Sequence, residues 1–177
     1  LTLEGALDDI ALVNEKKGKK IFIKGNHDFW WSSIKKFRDA LPPTTVAIQN
    51  DAIKIGNYVI CGSRCWAVPE LEQKSAPEDL KIFEREILRL ELSLNSAEKL
   101  RKEGDKLIVM THFPPFNSRF EDSAYTKIIS EHNACAVIYG HLHGAQSRSK
   151  MIVDKNGIPY YLTSCDKLNN ILLEIDI

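Results

Sequence analysis

Apolar residues recur every three or four positions near the start of the chain, at Leu3, Leu7 and Ile10, and again between residues 80 and 100. This spacing places them on one face of a helix, so the pattern predicts two amphipathic helices. Gly18 is expected to end the first helix. The second helix is expected to start at a capping box in residues 75–78 and to run to about residue 102.

The rest of the chain contains two shorter helical patterns and several short apolar segments with strand propensity. Shorter helices are predicted at residues 33–41, where Pro42 and Pro43 end the helix, and at residues 123–132. Strands are predicted at residues 20–24, 45–48, 53–55, 58–61, 106–110 and 134–139, followed by an antiparallel run at residues 151–153, 159–163 and 171–175. Strand and helix alternate until this last run, which predicts an α/β fold.

The composition is that of a globular protein. The chain has 177 residues, of which 44% are hydrophobic, and no segment rich in Gly, Ser or Pro divides it, so we expect a single domain over residues 1–177. The 24 basic and 24 acidic residues cancel, so no overall field favours nucleic acid or an anionic membrane. No apolar run is long enough for a membrane span, and no secretory leader is evident. The expected location is therefore the cytoplasm.

The four cysteines lie at positions 61, 65, 135 and 165. They lack the density of a secreted disulfide scaffold and the paired spacing of a zinc ribbon. Reduced, mostly buried thiols are therefore expected.

Candidate chemistry is concentrated directly after three predicted strands. Residues 25–28 are Gly-Asn-His-Asp, residues 111–113 are Thr-His-Phe, and residues 140–143 are Gly-His-Leu-His. Ligands of open α/β sheets gather at the carboxyl ends of the strands, so these segments are expected to lie close together. Imidazoles and an amide carbonyl suit zinc, iron or manganese. Asn26, His112 and His141 could therefore share one ion.

Two further expectations concern local geometry. Side chains alternate in an extended chain, so His141 and His143 would lie on the same side of an extended segment and could face two neighbouring ions. Gly25 and Gly140 would allow sharp turns at strand ends where a Cβ is often excluded.

Each segment alone has a plainer interpretation. Asn26 could occupy a left-handed turn with Asp28 capping the helix that follows, and His112 could be an ordinary histidine at a strand end. The three segments together use four of the five histidines, which favours a shared site. His132, on a predicted helix, is interpreted as a surface histidine.

The three segments, in this order, resemble the calcineurin-like metallophosphoesterase superfamily. Residues 29–31, 111–117 and 161–166 also resemble a branch of small bacterial predicted phosphohydrolases whose substrate is undefined. The resemblance spans most of the chain and implies two mixed β-sheets in a sandwich flanked by helices, an αββα fold. Aromatic side chains in these segments could shape the mouth of the site or could pack in the core.

The resemblance also implies a dinuclear metal centre at the strand ends. Asn26, His112 and His141 would bind one ion and His143 the other, and the ions would be manganese, iron or zinc. A hydroxide that bridges them would attack the phosphorus of a small phosphomonoester or phosphodiester in line.

Catalysis and substrate binding would fall to residues beside the metals. The resemblance implies that His27 stabilises or protonates the departing oxygen and that Asp28 orients its ring. Arg64, Arg119 and Lys167 are candidate contacts to the phosphate.

Two parts of the family pattern do not occur before residue 25: an Asp-x-His after a first strand, and a Gly-Asp before the first helix. Asp8 and Asp9 lie within the predicted first helix and not at a strand end. The resemblance therefore implies a fold that lacks its first strands, a chain that binds at most one metal ion, and weak or absent hydrolysis by this chain.

A non-catalytic scaffold that binds other proteins is the alternative function. Scaffold relatives tend to lose the catalytic histidine, whereas His27 and Asp28 are both present. A nuclease or a cyclic-nucleotide phosphodiesterase would also fit the enzyme class, although a nuclease should have clustered Lys and Arg near the motifs. The expected partner is thus a small phosphate ester, with neither nucleic acid nor membrane, and the sequence predicts no oligomeric state.

Overall fold

A computed structural model describes residues 2–70, 75–144 and 149–177. The helices of these residues are α1 (Leu3–Asn14), α2 (Ile34–Ala40), α3 (Pro77–Leu100) and α4 (Ala124–Glu131). The strands are β1 (Lys20–Ile23), β2 (Thr45–Ile48), β3 (Ala52–Ile55), β4 (Tyr58–Ser63), β5 (Lys106–Thr111), β6 (Ala136–Tyr139), β7 (Ile152–Lys155) and β8 (Ile158–Leu162). These elements confirm the α/β fold class and match the predicted bounds within a few residues.

The strands form two sheets that face each other. A six-stranded mixed sheet has the order β3-β4-β5-β6-β8-β7, in which β4, β5, β6 and β8 are parallel and the two outer strands are antiparallel to their neighbours. A second sheet consists of the parallel pair β1 and β2. Helices α3 and α4 pack on the outer face of the large sheet, and none of the helices in the described ranges is long and apolar enough to cross a membrane.

The register of the parallel strands determines what projects from their carboxyl ends. Ser63 on β4 lies opposite Thr111 on β5, which lies opposite Tyr139 on β6. The three strands therefore end in line. The residues that follow them, beginning with Arg64, His112 and Gly140, emerge side by side at one edge of the sheet.

The main core lies between the large sheet and α3. Leu90, Leu94 and Ala97 of α3 are fully buried against Leu107 and Val109 of β5. Burial of each leucine side chain contributes about 2 kcal/mol. This packing holds the strand ends rigidly and so supports whatever site they carry.

The start of α3 differs from the prediction. Its N-cap is Ala76, Pro77 is the first helical residue, and no side chain caps the helix, so the predicted capping box at residues 75–78 is wrong. Proline disfavours helical geometry in the residue before it and already has the helical φ itself, so the helix begins at Pro77 and Ser75 lies outside it. A capping box does occur in α4, between Ser123 and Thr126.

The strand predicted at residues 171–175 is also wrong. Residues 171–177 are irregular and pair with no strand of the described chain. Ile171 and Leu172 of this segment are exposed, whereas Ile175 and the following Ile177 border an apolar cavity of about 520 Å³ between the sheets. Left-handed backbone at Asn169 and Asn170 turns the chain before this segment. Ladder pairing needs a free strand edge at the right place, which an apolar pattern does not reveal.

The four cysteines are free, but only two of them are buried. Cys61 and Cys65 lie in the core, whereas Cys135 is half-buried and Cys165 is exposed. Burial raises the pKa of Cys61 to about 12, so this thiol is unreactive at neutral pH.

Candidate metal centre

The loop after β1 closes a tight turn through Asp28. The carboxylate Oδ2 of Asp28 accepts a hydrogen bond from the backbone N–H of Gly25 at 2.6 Å. Asn26 does not have a positive φ, and the N-cap of α2 is Ser33. The plainer interpretation of this segment, a left-handed Asn26 with Asp28 as helix cap, is therefore wrong. The turn instead leaves the side chain of Asn26 available to the site.

Side chains from three strand ends meet here. Nε2 of His112 lies 2.7 Å from Oδ1 of Asn26 and 3.1 Å from Nδ1 of His141. Asn26 follows β1, His112 follows β5 and His141 follows β6, as the sequence predicts. The structure therefore brings together the three residues expected to share one ion, while their role as ligands stays a prediction.

The geometry of these three atoms fits a cation. Two ligand atoms at right angles, each about 2.1 Å from one ion, lie about 3.0 Å apart, close to the observed 2.7 and 3.1 Å. Nε2 of a neutral His112 carries one proton or one lone pair, so it cannot make a good hydrogen bond to both neighbours. A cation among the three atoms would accept all three lone pairs at once.

The electrostatics keep the imidazoles neutral. Burial, together with the neighbouring His141, lowers the pKa of His112 to about 4. Burial also lowers the pKa of His141, with smaller effects from His143 and His27. Because a metal binds the neutral imidazole, both side chains are ready to bind one at neutral pH.

The Gly-His-Leu-His segment is not extended. His141 has a φ of 67°, and the N–H of Leu142 donates to the carbonyl of Gly140 at 2.8 Å, which makes a tight turn. The argument from alternating side chains is therefore wrong. His143 is exposed, and its ring centroid lies 6.1 Å from that of His141.

The described residues form no second cluster of candidate metal ligands. No group of three or more His, Cys, Asp or Glu side chains within it is placed to hold a metal. The cluster described above contains two such side chains, His112 and His141, and its third donor is the amide of Asn26. His143 stands apart from the three, and its role as a ligand stays a prediction.

The two motif glycines, Gly25 and Gly140, differ in how much space surrounds the position of a Cβ. A Cβ on Gly25 would lie 3.0 Å from Oδ2 of Asp28 and 3.2 Å from Cε1 of His112, whereas the nearest atoms to a Cβ on Gly140 are 4.0 Å away. Neither glycine has a positive φ. Gly25 is thus needed for space beside His112, and the expected exclusion of a Cβ at Gly140 is wrong.

The predicted catalytic pair lies beside the cluster. His27 is exposed and close enough to the cluster to lower the pKa of His112 and of His141, and the ring of Phe29 lies edge-on to it at a centroid distance of 6.4 Å. Asp28 contacts the backbone of Gly25, and no hydrogen bond joins it to His27 among the residues that the structure describes. Orientation of His27 by Asp28 stays a prediction.

The three candidate phosphate contacts occupy different places. Arg64 follows β4 beside His112, donates to Glu86 at 2.9 Å and lies over the ring of Trp66. Nε of Arg119 lies 3.5 Å from the carboxylate of Glu121. Lys167 donates to the carbonyl of Gly144 at 2.7 Å, just after the histidine motif. Only Arg64 is placed by strand register beside the three-residue cluster.

Two aromatic residues of the motifs, Trp31 and Phe116, lie in the core. Trp31 is buried against Phe37, and Phe116 is buried in the main core. They are packing residues, although Phe116 also lines an apolar pocket of about 240 Å³ that includes Phe113 and His141. This pocket offers apolar contact directly beside the candidate metal centre.

Sequence reasoning missed the charged residues of α3. Glu86 is 1% exposed and accepts hydrogen bonds from Arg64 and Arg89. The only signal was a glutamate on the apolar face of a helix, four residues before Leu90. A charge on that face needs a partner, and the partner here comes from the end of β4.

The mixed sheet flanked by helices, with candidate donors at its strand ends, has the architecture of a metallophosphoesterase. The sequence model of the calcineurin-like phosphoesterase family matches residues 4–145, and the chain belongs to this family. The family generally hydrolyses phosphoesters and generally depends on two metal ions.

A solved crystal structure has the same kind of fold. It superposes with a TM-score of 0.60 at 12% sequence identity, over 90% of this chain and 62% of that chain. At this identity the likeness shows the fold alone, and the chain spans 62% of the length of that neighbour. No curated protein matches the sequence.

Proposed function

We propose that the protein is a metal-dependent phosphohydrolase that cleaves small phosphomonoesters or phosphodiesters. The observation that carries this proposal is the meeting of Asn26, His112 and His141 at 2.7 and 3.1 Å on strands of a calcineurin-like phosphoesterase fold. The proposed location of the protein is the cytoplasm. Its formal net charge of zero gives it no overall attraction to nucleic acid.

The proposed roles follow the placement of the residues. Asn26, His112 and His141 would hold one divalent ion, while His143 would be a ligand of a second ion that this chain by itself is not expected to bind. Bound manganese, iron or zinc would supply charge neutralisation at the phosphoryl group and activation of water. Since three donors gather for one ion while His143 stands apart, slow turnover is expected from this chain.

His27 is proposed to act on the leaving group. Its exposed ring lies near His112 and His141, where it would be able to give a proton to the departing ester oxygen. The apolar pocket beside His141 would receive the organic part of the ester, because its phenylalanine rings exclude water there.

The test measures metal binding and hydrolysis separately. Protein treated with EDTA is titrated with manganese and zinc by calorimetry, and hydrolysis of p-nitrophenyl phosphate and of bis(p-nitrophenyl) phosphate is followed with each metal. We expect metal-dependent turnover that His27→Gln lowers about 100-fold while metal affinity stays. His112→Gln should lower metal affinity itself.

His132→Gln is the matched control. His132 lies at the C-terminal end of α4, away from the three strand ends of the cluster, and contacts Glu98 of α3. Equal losses in the control and in the His112 variant would contradict the proposed site. Tight metal binding without hydrolysis of either ester would instead favour the protein-binding scaffold.

A further inference from the structure

A polar pocket of about 240 Å³ lies between the carboxyl ends of the two sheets. Lys24 follows β1 and Gln49 follows β2, whose last residues are paired in register. Ser63 ends β4, and α3 supplies the remaining wall. The lining includes Lys24, Gln49, Ser63, Arg64, Glu86 and Arg89.

The arginines of this pocket are held in place before any ligand arrives. Oε1 of Glu86 accepts hydrogen bonds from Arg64 at 2.9 Å and from Arg89 at 2.7 Å, and Oε2 accepts one from Ser63 at 3.2 Å. Arg64 is further fixed by the ring of Trp66, 4.8 Å from its guanidinium carbon. A guanidinium has five N–H donors, so each arginine keeps donors for a second partner.

The pocket carries an excess of positive charge. Lys24, Arg64 and Arg89 line the pocket together with one carboxylate, that of Glu86. The carboxylate of Asp28 also acts on Lys24 from outside the lining, and Nζ of Lys24 donates to the carbonyl of Trp31 at 2.6 Å. These cations repel one another in a partly desolvated space, and an anion between them would relieve that repulsion.

The pocket adjoins the candidate metal centre. Ser63 and Thr111 are register partners, and the N–H of Phe113 donates to the carbonyl of Arg64 at 3.0 Å, so Arg64 and His112 lie side by side. Lys24 is two residues from Asn26. A ligand with one group at the metal centre could therefore place another group in the pocket.

We propose that this pocket, built from Lys24, Arg64 and Arg89 around the buried Glu86, binds a second anionic group of the substrate. That group is a phosphate or a carboxylate, distinct from the phosphoryl group that is hydrolysed. The substrate class is thus a phosphoester with a further anionic group. This inference rests on the proposed phosphohydrolase function, but the pocket can be tested without hydrolysis.

The test titrates metal-free protein with inorganic phosphate at low ionic strength and follows the arginine Nε–H signals by NMR. We expect the signals of Arg64 and Arg89 to shift, and Arg89→Gln to weaken phosphate binding about tenfold or more, since one charge-assisted contact is lost. Arg85→Gln is the matched control, because Arg85 is exposed on the same helix and lies outside the pocket lining.

Gln49 provides a test that leaves the Glu86 cluster intact. Its side chain is exposed at the rim of the pocket, so charge changes there should not disturb folding. Gln49→Glu should weaken phosphate binding and Gln49→Lys should strengthen it. Phosphate affinity that is equal in wild type, Arg89→Gln and Gln49→Glu would overturn the proposal, as would an equal loss in Arg85→Gln.

A kinetic comparison links the pocket to the substrate. The ratio of kcat/KM for a sugar bisphosphate to that for p-nitrophenyl phosphate should fall about tenfold in Arg89→Gln and stay unchanged in Arg85→Gln. An unchanged ratio in both variants would overturn the assignment of the pocket to the substrate. If no ester is hydrolysed, the proposed function fails, whereas the phosphate titration still decides whether the pocket binds an anion.

Discussion

Gly25→Ala should disable the candidate metal centre while leaving the fold in place. The added Cβ would lie 3.0 Å from Oδ2 of Asp28, 3.2 Å from Cε1 of His112 and 3.3 Å from Nδ1 of His112. Ordinary contacts of a Cβ begin at about 3.4 Å, so His112 or Asp28 must move by up to about 0.4 Å. The φ of Gly25 is not positive, so the backbone itself tolerates alanine.

The expected loss of metal affinity follows from the size of this shift. Metal–ligand distances tolerate deviations of about 0.2 Å, and disturbing the groups that orient a ligand lowers affinity about 10- to 100-fold. That corresponds to about 1.4 to 2.8 kcal/mol of binding free energy. Calorimetric titration with zinc or manganese measures it directly, and thermal unfolding without metal checks that the fold is intact.

Gly140→Ala is the matched comparison. This glycine also precedes a candidate ligand, His141, but the nearest atoms to an added Cβ are 4.0 Å away. Metal affinity should therefore change less than about twofold, an energy within the range of ordinary surface substitutions. Wild-type affinity in Gly25→Ala, or equal losses in the two variants, would refute the steric reasoning.

Three further predictions concern stability. Glu86→Ala should lower the free energy of unfolding by about 3 kcal/mol, because it leaves the partly buried Arg64 and Arg89 without their carboxylate; urea unfolding, with the exposed Glu84→Ala as control, measures this. Gly62→Ala should cost about 3 kcal/mol or more, seen as a lower Tm, because its Cβ would lie 1.9 Å from the carbonyl oxygen of Met110. The pKa of His112 is lowered from 6.5 to about 4 in the folded protein, so the unfolded chain binds more protons between these values. The metal-free protein should lose stability as pH falls through that window, and His112→Gln should flatten the dependence in urea unfolding measured against pH.

Most of the fold could be predicted because each helix and strand is specified by the apolar pattern of its own residues. The apolar spacing of α3 and the short apolar segments of β5 and β6 each determine their own structure, and strand ends then locate the three motifs. The meeting of Asn26 with His112 was predictable for the same reason, since parallel strands present their carboxyl ends at one edge.

The features that were missed depend on distant parts of the chain. The strand expected at residues 171–175 pairs with none of the described strands, because pairing depends on where a segment lies relative to a sheet edge and not on its apolar pattern alone. The turn at His141 depends on the hydrogen bond between Leu142 and Gly140, where a strand pattern predicts extension. Two partners of Glu86, Ser63 and Arg64, come from the end of β4, 23 and 22 residues earlier in the chain, and no local pattern identifies them.

The in-line register of β4, β5 and β6 has a consequence for the length of the ligand. Neighbouring strands lie about 4.8 Å apart, so Arg64 and His112 are separated by one such step. Two anionic groups that occupy the pocket and the metal centre together must span at least that step. Among bisphosphonates that differ only in the number of linking carbons, affinity should therefore pass through an optimum, and its position would measure the strand spacing at the site in solution.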